Sequence, residues 1–337
     1  MDHEQIFSGL AFTGRDLEPE CVEIVVENGL ITNMYPVSGA QNCWIVPKFF
    51  NAHTHIADTV AMDLPVDRPL AELVAPPNGL KHQILAKTAD ADLVLAMRGS
   101  IAFMKESGTA GFADFREGGA HGVVLLKEAL AGSGMDALIL GRDGGEEVSN
   151  GCGLASAHGT EEEARLRDRV KKAGGIFGVH VAEKDTKDIE DAFALEPDFM
   201  VHATHFRAAD IKRAADLEIP VVVCPRSNWR LGVAAGPQTP PVRALLDAGC
   251  RVYLGTDNCM FVSPDMAAEC AFVHTVYRIA SKDILRAAVS GAELFGGDWA
   301  IERGNAARFS VIDPGYAKTW SKDIPASLFS RRVTQIR

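Results

Sequence analysis

Six residues in this chain have the types and spacing of a metal-dependent hydrolytic site. They are His53 and His55 in a His-x-His, His180 with Glu183 three residues later, His202, and Asp257 within Gly255-Thr256-Asp257-Asn258. Imidazole nitrogens with a carboxylate oxygen make a donor set suited to zinc or iron(II). A carboxylate close to the ion but off it can carry protons. An ion held this way brings the pKa of its water down towards ~7, so hydroxide is available at neutral pH. Each residue also has an ordinary alternative. The first pair could be solvated loop histidines, and His180 a hydrogen-bonded core residue. Glu183 could be an acid in a helical first turn, and Asp257 a cap or an Asx turn. His202 and His205 lie three apart, so in a strand they face opposite ways. His202 sits nearer the apolar run and is the better candidate; His205 reads as a surface or packing residue.

What raises the joint case is position. Each candidate follows a short apolar segment that reads as a β-strand. The expected strands are 45–51, 109–115, 137–142, 152–156, 176–182, 199–204, 220–224 and 251–255. Helical segments lie between them, one opened by Thr160 as N-cap before Glu161-Glu162-Glu163, another by Pro240-Pro241. Eight strands alternating with helices predict a closed parallel (β/α)8 TIM barrel, a fold whose active sites lie at the carboxyl ends of the strands. At the end of the first strand, His53 and His55 are two apart and project to one face. Before the barrel, Cys21–Val26, Asn28-Gly29 and Leu30-Ile31 read as a hairpin, and the residues after about 296 return to strand-like texture. The expected division is a small composite β-domain from residues 1–46 and 297–337 beside a hydrolase barrel from 47–296. The proline-bearing stretch Pro65–Gly79 reads as a long loop able to cover the site.

The bulk properties narrow the class. The chain has 337 residues, 47% hydrophobic and 23% charged, as in ordinary globular proteins. A net charge of −11 opposes binding to nucleic acid or anionic membrane. No apolar run approaches the ~18 residues that span a bilayer, and Met1-Asp2-His3-Glu4 does not open a secretory signal. Seven widely spaced cysteines without a C-x-x-C fit reduced thiols. A cytoplasmic protein is expected.

The chain resembles the amidohydrolase superfamily, in the branch of cytosine, guanine and S-adenosylhomocysteine deaminases and triazine hydrolases. The resemblance runs nearly end to end. It is carried by Val46-Pro47-Lys48-Phe49-Phe50-Asn51-Ala52-His53-Thr54-His55, His180-Val181-Ala182-Glu183, Val201–Phe206, Cys224–Gly232 and Leu254–Asn258. Lys48 stands where the family usually has glycine. The resemblance implies His53, His55, His180 and Asp257 as ligands of one divalent ion, Zn²⁺ first and Fe²⁺ as the alternative. It implies Glu183 as proton shuttle and His202, with Asp257, as catalytic groups that orient the water. Binuclear relatives use a carboxylated lysine from the fourth strand; no lysine lies in the third or fourth strand here. The implied activity is hydrolytic deamination of an amino-substituted nitrogen heterocycle, a purine, pyrimidine, pterin or nucleoside-like molecule, with release of ammonia. Ring opening of a cyclic amide and triazine dechlorination are the alternatives on the same scaffold. A homodimer or higher homo-oligomer is common among such relatives. Arg116, Arg142, His158 and Trp229 follow expected strand ends and are the candidate substrate contacts, each with an ordinary ion-pair or packing alternative.

Overall fold

A computed structural model of the protein describes residues 4–38, 42–331 and 334–335. Its strands, in chain order, begin with β1 Glu4–Thr13, β2 Glu18–Glu27, β3 Leu30–Pro36 and β4 Trp44–Pro47. Then come β5 Phe49–His55, β6 Thr109–Arg116, β7 Asp136–Gly141, β8 Gly151–Leu154, β9 Ile176–Val181, β10 Phe199–His202, β11 Val221–Val223, β12 Val252–Leu254 and β13 Asp257–Asn258. The last two are β14 Phe309–Asp313 and β15 Thr334–Gln335.

The chain ends share one sheet, in the order β15-β14-β4-β1-β2-β3. Its β2–β3 hairpin turns at Asn28 and Gly29, with φ of 52° and 79°. Both are left-handed, which is why Asn-Gly suits this turn. Ile24, Val26, Ile31, Ile45, Phe309 and Val311 form its apolar face. The single strand expected over 45–51 is two strands. β4 runs between β1 and β14 in the terminal sheet, whereas β5 opens the barrel. Apolar residues on both sides of Pro47-Lys48 conceal the switch. Pro47 has no N–H to extend a ladder, and the Lys48 N–H donates to the Arg308 carbonyl at 3.0 Å. At the end of the strand-like texture after 296, in residues 330–336, β15 at Thr334–Gln335 runs antiparallel to β14. Ser330 instead ends the helix Ile324–Ser330, and the rest of that stretch lies partly outside the described residues.

The second sheet is parallel throughout, in the order β12-β11-β10-β9-β8-β7-β6-β5-β13. β12 and β13 are halves of one final strand, interrupted at Gly255-Thr256. The first half pairs with β11 and the second with β5, which joins the eighth strand to the first and makes the (β/α)8 barrel. The Asn51 side chain spans the interruption. Its Nδ2 donates to Thr256 Oγ1 at 2.7 Å, and its Oδ1 accepts from the Thr256 N–H at 2.9 Å. The buried core of the barrel includes Phe115, Phe177, Val179, Phe199 and Val201. The Thr160 cap is present as a reciprocal capping box with Glu163. The Pro65–Gly79 stretch holds a short helix, Leu70–Val74, and leads into a second, Leu80–Lys87. Among the described residues, no helix is long and apolar enough to cross a membrane.

Gly255 allows the seam to close. A Cβ there would lie 2.8 Å from both the backbone nitrogen and the Cβ of His53. Gly255→Ala is expected to force the final strand off the first and to cost about 1–3 kcal/mol, as overpacking does. Thermal denaturation would show a lower Tm, and metal titration a weaker metal affinity than wild type.

Candidate functional site

The carboxyl ends of β5, β9 and β10 and the start of β13 converge on one buried point. His53 and His55 come from β5, His180 from β9, His202 ends β10 and Asp257 begins β13. All five are buried. His53 Nε2 lies 3.2 Å from His180 Nε2 and 3.2 Å from Asp257 Oδ1, and His55 Nε2 lies 3.6 Å from that same oxygen. His180 Nδ1 is 2.9 Å from the Leu154 carbonyl, which can only accept. The ring proton is therefore on Nδ1, and His180 Nε2 presents a lone pair. Bare imidazole nitrogens crowded against a carboxylate are what a cation resolves, and the two clusters that overlap at His53, His53-His55-His180 and His53-His202-Asp257, offer donors suited to zinc or iron(II). Burial drives the imidazoles towards their neutral, ligating forms. His180 is held well below the ordinary histidine range by burial and by the neighbouring histidines. His55 is pushed down to about 3 by burial and by the Lys81 charge.

Several of these side chains sit on backbone that few L-residues adopt. Ala182, His202, Ala203 and Asp257 have φ of 49°, 76°, 47° and 63°. Left-handed conformations at non-glycine residues cost energy and collect where surrounding structure imposes a function. They turn the chain at the strand ends and aim His202 and Asp257 across the barrel mouth.

Glu183 lies just outside the cluster, with Oε2 3.9 Å from His202 Nε2. Its pKa is raised by burial and by the charges of Asp257 and Asp188, against the pull of His202. A carboxyl that accepts a proton more readily than usual fits proton transfer near neutral pH. Glu183 lines a cavity of about 610 Å³ together with His55, His180, His202 and Asp257. Leu70, Val74 and Pro76 form part of its wall, so the 65–79 stretch does cover one side.

The sequence reading missed a buried charged cluster beside His55. Glu117 Oε1 is 2.9 Å from His55 Nδ1, 2.6 Å from Lys81 Nζ and 3.0 Å from Arg142 Nη2, while Oε2 is 2.5 Å from Arg116 Nη2. Lys81 also pairs with Asp58 at 2.8 Å. Burial would raise the Glu117 pKa, but the surrounding cations hold it well below the carboxylate range. A clue was available for Glu117: three charged residues in Asp114-Phe115-Arg116-Glu117, at the end of an apolar strand, demand compensation. Lys81 carries no such mark, since only the fold brings its helix over the barrel.

The four candidate substrate contacts separate. Arg142 and His158 line the cavity; Arg142 is nearly buried, and the exposed His158 is held by Glu163 at 2.9 Å. Arg116 lies off the cavity, between Asp114 and Glu117. Trp229 is also off it, because its indole N–H donates to Tyr277 Oη at 2.7 Å and its ring meets Phe272 edge-on. Asp114 tethers the first loop through Thr54 and the Ile56 N–H. His205 does not line the cavity. Ser227 and Asn228, adjacent in the turn after β11, reach Asp257 and His202.

Two outcomes follow from these charges. Lys81→Met would leave Asp58 and Glu117 buried with reduced compensation, and a loss of about 3–5 kcal/mol in denaturant unfolding is expected, as for other broken buried pairs. Glu269, fully buried behind the Ser227 turn, is pushed up to about 7 by burial, with Arg226 opposing. Because the folded pKa is the higher one, its contribution is fully present below the unfolded value and is lost as pH rises through about 7. Glu269→Gln should therefore gain on wild type as pH rises from about 4.5 to 7, by on the order of 1 kcal/mol per unit at most. Unfolding free energies across that range would check it.

Three comparisons bear on this geometry. A family model described as the amidohydrolase family matches residues 153–335. A putative aminohydrolase of Methanothermobacter thermautotrophicus is 34% identical over 352 aligned positions, covering 91% of this chain and 90% of that protein. A 5-methylthioadenosine/S-adenosylhomocysteine deaminase of Halobacterium salinarum is 29% identical, over 65% of this chain and 58% of that one. Among solved structures, atrazine chlorohydrolase from Arthrobacter aurescens TC1, complexed with zinc, superposes with a TM-score of 0.82 at 15% identity, covering 96% of this chain and 91% of its own.

Proposed function

Because the chain belongs to the amidohydrolase family, we propose that it is a metal-dependent hydrolase that deaminates an amino-substituted nitrogen heterocycle and releases ammonia. The observation that carries this reading is the convergence of His53, His55, His180 and Asp257 on one point, with Glu183 and His202 beside it at the cavity floor. The deaminase relative supports the choice of reaction.

His53, His55, His180 and Asp257 would hold one divalent ion, zinc in preference to iron(II). The zinc in the atrazine chlorohydrolase supports that order. β8, Gly151–Leu154, has no lysine to bridge a second ion, and Lys81 is committed to Asp58 and Glu117. When bound, the ion supplies Lewis-acid activation of water.

The chain's own groups do the rest. Glu183 accepts a proton from the attacking water and delivers it to a ring nitrogen, which makes the adjacent carbon electrophilic. The water oxygen adds to that carbon. His202 donates a hydrogen bond to the oxygen as charge develops on it, and Asp257, anchored by Ser227, orients the nucleophile. Glu183 takes the second proton and passes it to the amine; the carbon–nitrogen bond breaks, a ring carbonyl remains and ammonia leaves. Arg142, with one donor engaged by Glu117, and His158 face the heterocycle from the wall. The same reading divides the chain into a hydrolase barrel, 47–296, and a β-domain from 1–46 and 297–337; the β4–β14 ladder joining the two termini supports it. Its seven free cysteines fit a reducing cytoplasm.

Zinc-loaded protein should release ammonia from at least one member of a panel of aminopurines, their nucleosides, cytosine, pterins and aminotriazines. Glu183→Gln should keep stoichiometric metal and lose about 10²–10⁴-fold in turnover. Undiminished turnover in that variant would remove Glu183 from the mechanism. Chloride release, or ring opening without ammonia, would move the protein to another hydrolysis on this scaffold.

A further inference from the structure

The short helix Pro225–Arg230 follows β11 and carries two adjacent polar side chains into the site. Ser227 Oγ donates to Asp257 Oδ2 at 2.5 Å, so Oδ1 is the oxygen left facing His53 and His55. Asn228 Nδ2 lies 3.2 Å from His202 Nδ1. Both residues are completely buried. Asn228 has little freedom to move. Its N–H donates to the Cys224 carbonyl, and its own carbonyl accepts from the N–H groups of Val233 and Ala234.

An asparagine amide can meet an imidazole nitrogen with either end, and the two choices give opposite tautomers. With the NH₂ group towards His202, Nδ1 accepts and Nε2 carries the proton. With the oxygen towards it, Nδ1 carries the proton and Nε2 is a lone pair. The other side of the ring decides between them. His202 Nε2 faces Glu183 Oε2 at 3.9 Å, and an oxygen of Asp257 lies within 4.8 Å of the ring's nitrogen. A lone pair aimed at two carboxylates is repelled; an N–H is attracted.

We propose that Asn228 is a positioning residue that fixes His202 as an Nε2–H donor. This keeps His202 out of the ligand set although it stands beside His53 and Asp257. It also presents one fixed donor where the proposed deamination develops negative charge. The catalytic consequence rests on the proposed function; the tautomer itself does not.

The test is long-range ¹H–¹⁵N correlation spectroscopy of zinc-loaded protein labelled with [¹⁵N]histidine, with the His202 signals identified by their disappearance in His202→Gln. Wild type should show a pyridine-like Nδ1 and a pyrrole-like Nε2 for His202. A pyrrole-like Nδ1, or an Nε2 bound to zinc, overturns the proposal with Asn228 itself unaltered. In Asn228→Asp, a carboxylate replaces the donor, and Nδ1 should become pyrrole-like while zinc stoichiometry stays at the wild-type value. An unchanged pattern in that variant also overturns it. With any substrate from the panel, Asn228→Asp should lower kcat by about 10²-fold or more, with KM little changed, as expected for a histidine in the wrong tautomer. If no panel member is turned over, the deaminase reading fails, and the spectra still decide the role of Asn228.

Discussion

Everything at the proposed site depends on how the last strand meets the first. Were the final strand continuous, it would pair with one neighbour along its length and leave the barrel open. Instead it breaks at Gly255-Thr256, and its halves pair with β11 and β5 in turn. Asn51 satisfies the backbone and hydroxyl of Thr256 at the break, where no ladder bond can. The same step brings Asp257 to its place opposite His53. Closure of the barrel and assembly of the metal-binding donor set are thus one event, and the absence of a side chain at position 255 is its steric condition.

Around that seam the protein keeps two kinds of polarity apart. Burial together drives His53, His55 and His180 towards their neutral forms, which suits them to bind a cation. Next to them, Glu117 gathers Lys81, Arg116 and Arg142 around one side chain. Three buried cations would be prohibitive alone; shared between Glu117, Asp58 and Asp114 they become a rigid wall that touches His55 on one side and the cavity on the other. The left-handed backbone at Ala182, His202, Ala203 and Asp257 belongs to the same pattern. Strain is concentrated where strand ends must deliver side chains inward, and the packed barrel beneath absorbs it.

The amino-acid sequence on its own determined the alternation of strands and helices, the Asn-Gly hairpin, the Thr160 cap and the strand-end location of His53, His55, His180, His202 and Asp257. These are legible because hydrophobic periodicity, turn chemistry and side-chain direction act over a few residues. The return of both termini to one sheet could also be anticipated, since the texture of the chain changes at both ends. Only the tertiary structure decided the rest. The split of the 44–55 run between two sheets lay hidden because strand-like residues flank Pro47-Lys48 on both sides, and only the distant partners of each half differ. The burial of Lys81 depends on a helix folding back over the barrel mouth. Trp229 turns away from the cavity because its partner, Tyr277, arrives from elsewhere in the chain, whereas Arg116 is held by its own neighbours Asp114 and Glu117. Partners distant in sequence leave no local periodicity to read, and it is they that placed Lys81 and Trp229.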